Sequence, residues 1–274
     1  VEVAHPALVA VVLALVGGCA GAPGPDGTGS PPRSVEPGDA SPKAGMVVIP
    51  SGDFVMGNDD SMDERPAHRV HVDAFALDVT EVTVADYAVC SRAGACPPAA
   101  TEISWTNITD ADRARSPFCN AGQAAKAQHP INCVSWDEAS AYCSWVKKRL
   151  PSEEEWEYAA RGHEGHTYPW GEAAPTDQLC WKRQNGTCPV AQFPDGHGPF
   201  GGFDLAGNVG EWTASAWSST YDSPRDSPAR VTRGGSWSYI LPSSVGGAHR
   251  DASLPNVRLA EIGFRCARSG VAGM

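Results

Sequence analysis

The sequence predicts an α+β fold, loop-rich and stapled by disulfides, and three observations carry that expectation. Two Ser-x-x-Glu capping boxes, at Ser135/Glu138 and Ser152/Glu155, each open a stretch with helical apolar spacing. Around them stand short apolar bursts bounded by Gly and Pro, which number 29 and 23 in 274 residues, the pattern of short strands and turns. Eight cysteines lie beyond residue 89, an even set with no C-x-x-C pair. In an exported protein such a set reads as a disulfide framework, and the spacing gives no support to zinc ribbons or thioredoxin-like sites.

The elements follow in chain order. Residues 7–16 form an apolar run of ten, too short to cross a bilayer, which takes roughly 20 residues, and suited to the h-region of a signal peptide. Val16-Gly17-Gly18-Cys19 resembles a bacterial lipobox, so residues 1–19 read as a signal peptide with Cys19 as the lipidation site. An ordinary secretory signal with an incidental cysteine is the alternative. Residues 20–43 are Gly, Pro, Ser and Asp with almost no large apolar side chain, and read as a disordered tether. The domain then spans 44–270.

Within it, Met46–Pro50 and Asp53–Gly57 read as two short strands joined by a Ser-Gly turn. Asp59 to Glu64 reads as a solvated acidic loop. His68 to Phe75 alternates like a half-buried strand, which sends His68 and His71 to opposite faces and makes them poor partners for one metal. Thr83 can cap a helix over about 84–91. The capping boxes open two more, the second running to Ala160 and ended by Gly162. Beyond that glycine, residues 165–268 read as loops and short strands.

Composition removes one class of function. The net charge of −11 argues against nucleic acid, because phosphate binding needs clustered Lys and Arg. The cysteines allow on the order of a hundred pairings. Spacing favours Cys90 with Cys96, Cys119 with Cys133, and Cys180 with Cys188 as local staples, leaving Cys143 and Cys266 as a long-range closure.

Several strings then coincide in order: Asp78-Val79-Thr80-Glu81-Val82-Thr83, His129-Pro130-Ile131-Asn132-Cys133-Val134-Ser135-Trp136, Arg149-Leu150-Pro151-Ser152-Glu153-Glu154-Glu155-Trp156, Tyr168-Pro169-Trp170-Gly171, Leu205-Ala206-Gly207-Asn208-Val209-Gly210-Glu211-Trp212, Arg233-Gly234-Gly235-Ser236-Trp237 and Gly263-Phe264-Arg265-Cys266. Together they resemble the formylglycine-generating enzyme, or sulfatase-modifying factor, family over residues 44–268. The resemblance implies a variant of the C-type-lectin fold. It also implies, for members with the full site, oxidation of a sulfatase cysteine to formylglycine with oxygen and copper held by two cysteines. It places Cys143 and Cys266 at the family's structural disulfide.

Here the segment from Ser236 to Arg250 contains no cysteine; Tyr239 and Ser243 or Ser244 stand where the pair is expected. Tyr and Ser cannot replace two thiolates on Cu(I), so copper is not expected. Gly210 replaces a tryptophan of the Gly-Asn-Val-Trp-Glu-Trp motif. A calcium site is expected instead at Asp204, Gly207, Val209 and Glu211, two carboxylates and two backbone carbonyls, a hard-oxygen set. A second family calcium site is eroded at Leu179. Ser236, Tyr239, His249 and Arg250 are the remaining candidates for chemistry in the cleft. The expected function is an exported, lipid-anchored, non-oxidase binding or accessory domain of the cell envelope, with an unidentified peptide, protein or small-molecule ligand. Its alternatives are an enzyme of divergent chemistry in the same cleft, or the family oxidation itself.

Overall fold

The computed structural model describes residues 45–270. The expected signal peptide, Cys19 and most of the expected tether lie outside them. The strands are β1 (Met46–Ile49), β2 (Gly52–Met56), β3 (His68–Val72), β4 (Phe75–Asp78), β5 (Gly210–Ala216), β6 (Arg230–Arg233), β7 (Arg250–Ser253), β8 (Ile262–Gly263) and β9 (Ala267–Ser269). The helices are α1 (Val84–Arg92), α2 (Asp110–Arg113), α3 (Trp136–Trp145) and α4 (Glu153–Arg161). No α-helix follows Arg161 among the described residues, as the punctuated sequence predicts.

Local chemistry explains the helix starts. The Ser135 N–H donates to Glu138 Oε2 at 2.8 Å and the Glu138 N–H returns to Ser135 Oγ. Ser152 and Glu155 repeat the exchange at the head of α4. Each box satisfies two backbone donors that a helix start otherwise leaves orphaned. Glu155 also takes Arg149 in a bidentate pair, 2.6 Å on each oxygen, which fixes the turn between α3 and α4.

The strands form three sheets. β4 lies between β1 and β9, all antiparallel, so the two ends of the described chain share a sheet. β2 pairs only with β3. The two strands expected to be joined at Ser51-Gly52 are thus adjacent in sequence but belong to different sheets. The third sheet has the order β7-β6-β5-β8, with β5 and β8 parallel. His68 lies against Tyr221, ring centroids 4.8 Å apart, while His71 bonds Asp53, so the two histidines share no site.

Four disulfides join Cys90 to Cys96, Cys119 to Cys133, Cys143 to Cys266, and Cys180 to Cys188. The third closes 123 residues and ties α3 to the strand-like turn after β8. It lies in a core of Tyr87, Tyr142, Trp212 and Phe264, where Tyr142 meets Phe264 edge-on at 5.5 Å. A second core gathers Phe54, Met56, Leu77, Trp156 and Tyr158 under the first two sheets.

Candidate functional site

A cleft of about 560 Å³ opens between the Gly57–Glu64 loop, Thr167 and Tyr168, and the chain from Ser243 to His249. Helix α4 contributes Arg161 to its lining and braces the segments around it from below. Glu153 and Glu157 stand four apart, on one face of the helix, and both are wholly buried. Arg233 reaches them from β6, donating to Glu157 Oε2 at 2.6 Å and to Glu153 Oε1 at 3.0 Å. Its other nitrogen donates to the Ala248 carbonyl at 2.8 Å and to that of His249 at 3.2 Å, which holds the histidine's backbone in place.

The acidic loop is solvent-exposed at Asp59 and Asp60, as its composition predicts, but it is also firmly anchored. Glu157 accepts the Gly57 N–H at 2.7 Å, and Arg161 donates to the Gly57 carbonyl at 3.0 Å. The Asn58 N–H closes the loop on the Glu64 carbonyl at 2.8 Å. Gly57 has φ +86°, and a Cβ there would lie 2.3 Å from that same carbonyl, so only glycine fits. The loop is thereby anchored at both ends. It presents Asp59 and Asp60 to solvent and turns Glu64 inward.

Glu64 faces His249, with 3.8 Å between its Oε1 and Nδ1. On the other side His249 Nε2 lies 3.2 Å from Asp251 Oδ2, which also accepts the Tyr239 hydroxyl at 2.9 Å. The result is a chain Glu64–His249–Asp251–Tyr239, of which Glu64 and His249 line the cleft and Asp251 and Tyr239 stand behind the histidine. Burial alone would lower the histidine's pKa. Hydrogen bonds and charge from Asp251 and Glu64 outweigh it and hold the pKa up at about 9. His249 is therefore an imidazolium at neutral pH. Burial would raise Asp251, and His249 overcomes that and depresses it. Tyr239 is pushed up, first by burial and then by Asp251, so it stays a donor.

Two of the four cleft candidates lie in this chain, Tyr239 and His249. Ser236 and Arg250 do not. Ser236 is buried with its hydroxyl beside Ser238. Arg250 is wholly buried, donating to Glu153 and to the carbonyls of Asp63 and Ser218, and lies over the rings of Trp217 and Tyr221. It is a brace between α4 and the acidic loop. Asp251 and Glu64 escaped the sequence reading. Asp251 could have been found, because strand alternation puts residues 249 and 251 on one face. Glu64 arrives from 185 positions away and left no local signal.

The family's copper set, not expected here, and the expected calcium set can each be compared with the donors present. All eight cysteines among the described residues are in disulfides, and a thiol so tied is not a copper ligand. The residues do not fit a thiolate copper centre. Of the expected calcium donors, Glu211 accepts Arg265 Nε and Nη2 at 2.7 Å each and Trp156 Nε1 at 2.8 Å. Three of its lone pairs are taken. Asp204 accepts the Ala191 N–H at 2.6 Å, and Gly207 and Val209 lie in the turn before β5. No group of three or more His, Cys, Asp or Glu side chains among the described residues is arranged to hold a metal ion.

The sulfatase-modifying factor enzyme 1-like domain model matches residues 32–270. The chain belongs to this sulfatase-modifying factor family. It is 34% identical over 272 residues to the mouse inactive C-alpha-formylglycine-generating enzyme 2, covering 82% of this chain and 85% of that protein. It is also 34% identical to the formylglycine-generating enzyme of Streptomyces coelicolor, covering 87% of this chain and 94% of the other. Among solved structures, PvdO from Pseudomonas aeruginosa superposes with a TM-score of 0.66 at 27% identity, covering 81% of this chain and 93% of PvdO.

Proposed function

We propose that this family member is an exported, lipid-anchored binding or accessory domain of the cell envelope, not a thiol-dependent oxidase. One observation carries the reading: the segment from Ser236 to Arg250, which supplies part of the cleft lining, holds no thiol, and the eight described cysteines are all cross-linked. Four disulfides accord with export, because such bonds persist in oxidising compartments. Similarity to a relative named as inactive supports a non-oxidase role. The cleft favours a ligand bearing positive charge: Asp59 and Asp60 stand open at its mouth, while Arg161 is already paired with Glu157.

A second reading draws on the Glu64–His249–Asp251–Tyr239 chain. An imidazolium held between two carboxylates is a proton donor, which would suit acid chemistry on a small exported substrate.

The test is alkylation of the unfolded, unreduced protein followed by peptide mapping. The expected result is no alkylated cysteine between residues 45 and 270. A labelled cysteine at any of the eight positions would reopen thiol chemistry.

A further inference from the structure

A cationic cluster stands beside the Cys180–Cys188 staple, and none of its residues lines the cleft. Lys126 ends the short 3-10 turn Ala124–Lys126, and its ammonium lies over Gly186, where a Cβ would be 3.8 Å from Nζ. Its protein acceptors are neutral, His129 Nδ1 and the Thr187 carbonyl, both at 3.5 Å. Arg183 donates from Nε to Asn185 Oδ1 at 3.2 Å, and its two Nη groups have no protein acceptor. Among the described residues neither cation is in an ion pair, whereas Arg115 is matched by Glu261. Burial first, and then the charge of Arg183, lowers the Lys126 pKa, so the two like charges repel.

His129 adds a third donor. Asn120 Nδ2 donates to Thr187 Oγ1 at 2.9 Å, which leaves the Thr187 hydrogen for His129 Nδ1 at 2.8 Å. The Lys126 ammonium can only donate to that same nitrogen. Nδ1 is therefore the acceptor and the ring proton sits on Nε2, which has no protein partner. Burial, and then Lys126, brings the ring pKa down to about 4, so the imidazole is neutral and keeps this tautomer. An ammonium, a guanidinium fork and an imidazole N–H thus surround one glycine with no carboxylate among them, in a chain of net charge −11.

We infer that Lys126, Arg183 and His129 bind a tetrahedral oxyanion, the phosphate or sulfate group of an ester ligand, over Gly186. All the free groups are donors, and an arginine fork matches two oxygens of such an anion. An anion between the two cations would cancel their repulsion. Gly186 keeps the approach open, because a side chain there would fill the space between Lys126 and Phe118, whose Cδ1 would lie 3.4 Å from its Cβ.

The experiment is calorimetric titration of the full chain with inorganic phosphate and with sulfate, at an ionic strength held constant with chloride. The His129 ring signals are followed by NMR at constant pH. One ion should bind, and the His129 signals should move. Lys126→Gln and Arg183→Gln should each weaken binding by about tenfold or more, the loss expected for one charged hydrogen bond. Without phosphate both should melt no lower than the wild type, because each removes one of two repelling charges. Lys182→Gln, an exposed cation seated on the Trp181 ring, should bind phosphate as the wild type does. Vesicles separate the sources of the group. Co-sedimentation with phosphatidic acid vesicles, lost in Arg183→Gln, would assign a lipid headgroup; binding of the free ion alone would assign a soluble ester. No binding heat and no His129 shift with either ion would overturn the assignment. So would a loss in Lys182→Gln as large as that in Arg183→Gln, which would mean diffuse surface attraction only.

Discussion

Replacing His249 with Asn should remove a specific, pH-dependent part of the stability. The imidazole is 18% exposed and lies between Glu64 and Asp251. Raising a histidine from its ordinary 6.5 to about 9 corresponds to about 3 kcal/mol. Because the folded pKa is raised, that contribution is whole below about pH 6.5 and is lost as pH climbs through about 9. Asp251 is depressed, so its own contribution is present at neutral pH and fades only in acid; it does not touch the alkaline limb. The assay is urea unfolding followed by tryptophan fluorescence, wild type against His249→Asn, at about pH 6, 8 and 10. The stability gap should shrink by about 3 kcal/mol from the lowest to the highest pH. Titrations common to both proteins cancel in the difference. A gap that stays constant with pH, or widens toward alkali, refutes the imidazolium between two carboxylates.

Other consequences can be measured on the same protein. Replacing both Cys143 and Cys266 with Ser should cost about 5 kcal/mol by guanidinium unfolding, because a closure of 123 residues constrains the unfolded chain most. Arg233→Met should cost about 3 kcal/mol in the same assay, since it removes the guanidinium shared by two buried carboxylates and leaves Glu153 only Arg250 and Glu157 only Arg161 as cations. Ser135→Ala should lower the stability by about 1 kcal/mol and leave the cleft unchanged, the ordinary effect of a lost N-cap.

What could be read in the sequence was what is determined locally. The Ser135 and Ser152 capping boxes form within four residues, so their helices begin where the pattern predicts. The four disulfides match the spacing, three of them because a short loop leaves few partners. The charged interior was hidden for the opposite reason. Glu153 and Glu157 look like ordinary polar positions of a helix, and Arg233, 80 and 76 positions away, with Arg250 on Glu153 and Arg161 on Glu157, makes their burial tolerable. Arg250 looked like a cleft residue because it follows His249, yet strand alternation turns it inward. The acidic loop is solvated at Asp59 and Asp60 as its pattern predicts, whereas its anchoring on α4 through Gly57 and the burial of Glu64 left no local signal.

On the proposed reading, the family fold persists here without oxidation of a substrate thiol. The most direct measurement is incubation of the purified protein with a Cys-x-Pro-x-Arg peptide, copper and oxygen, followed by mass spectrometry of the peptide. The cysteine should remain unconverted at every time point. Appearance of the aldehyde, formylglycine, in proportion to the protein added would contradict the account.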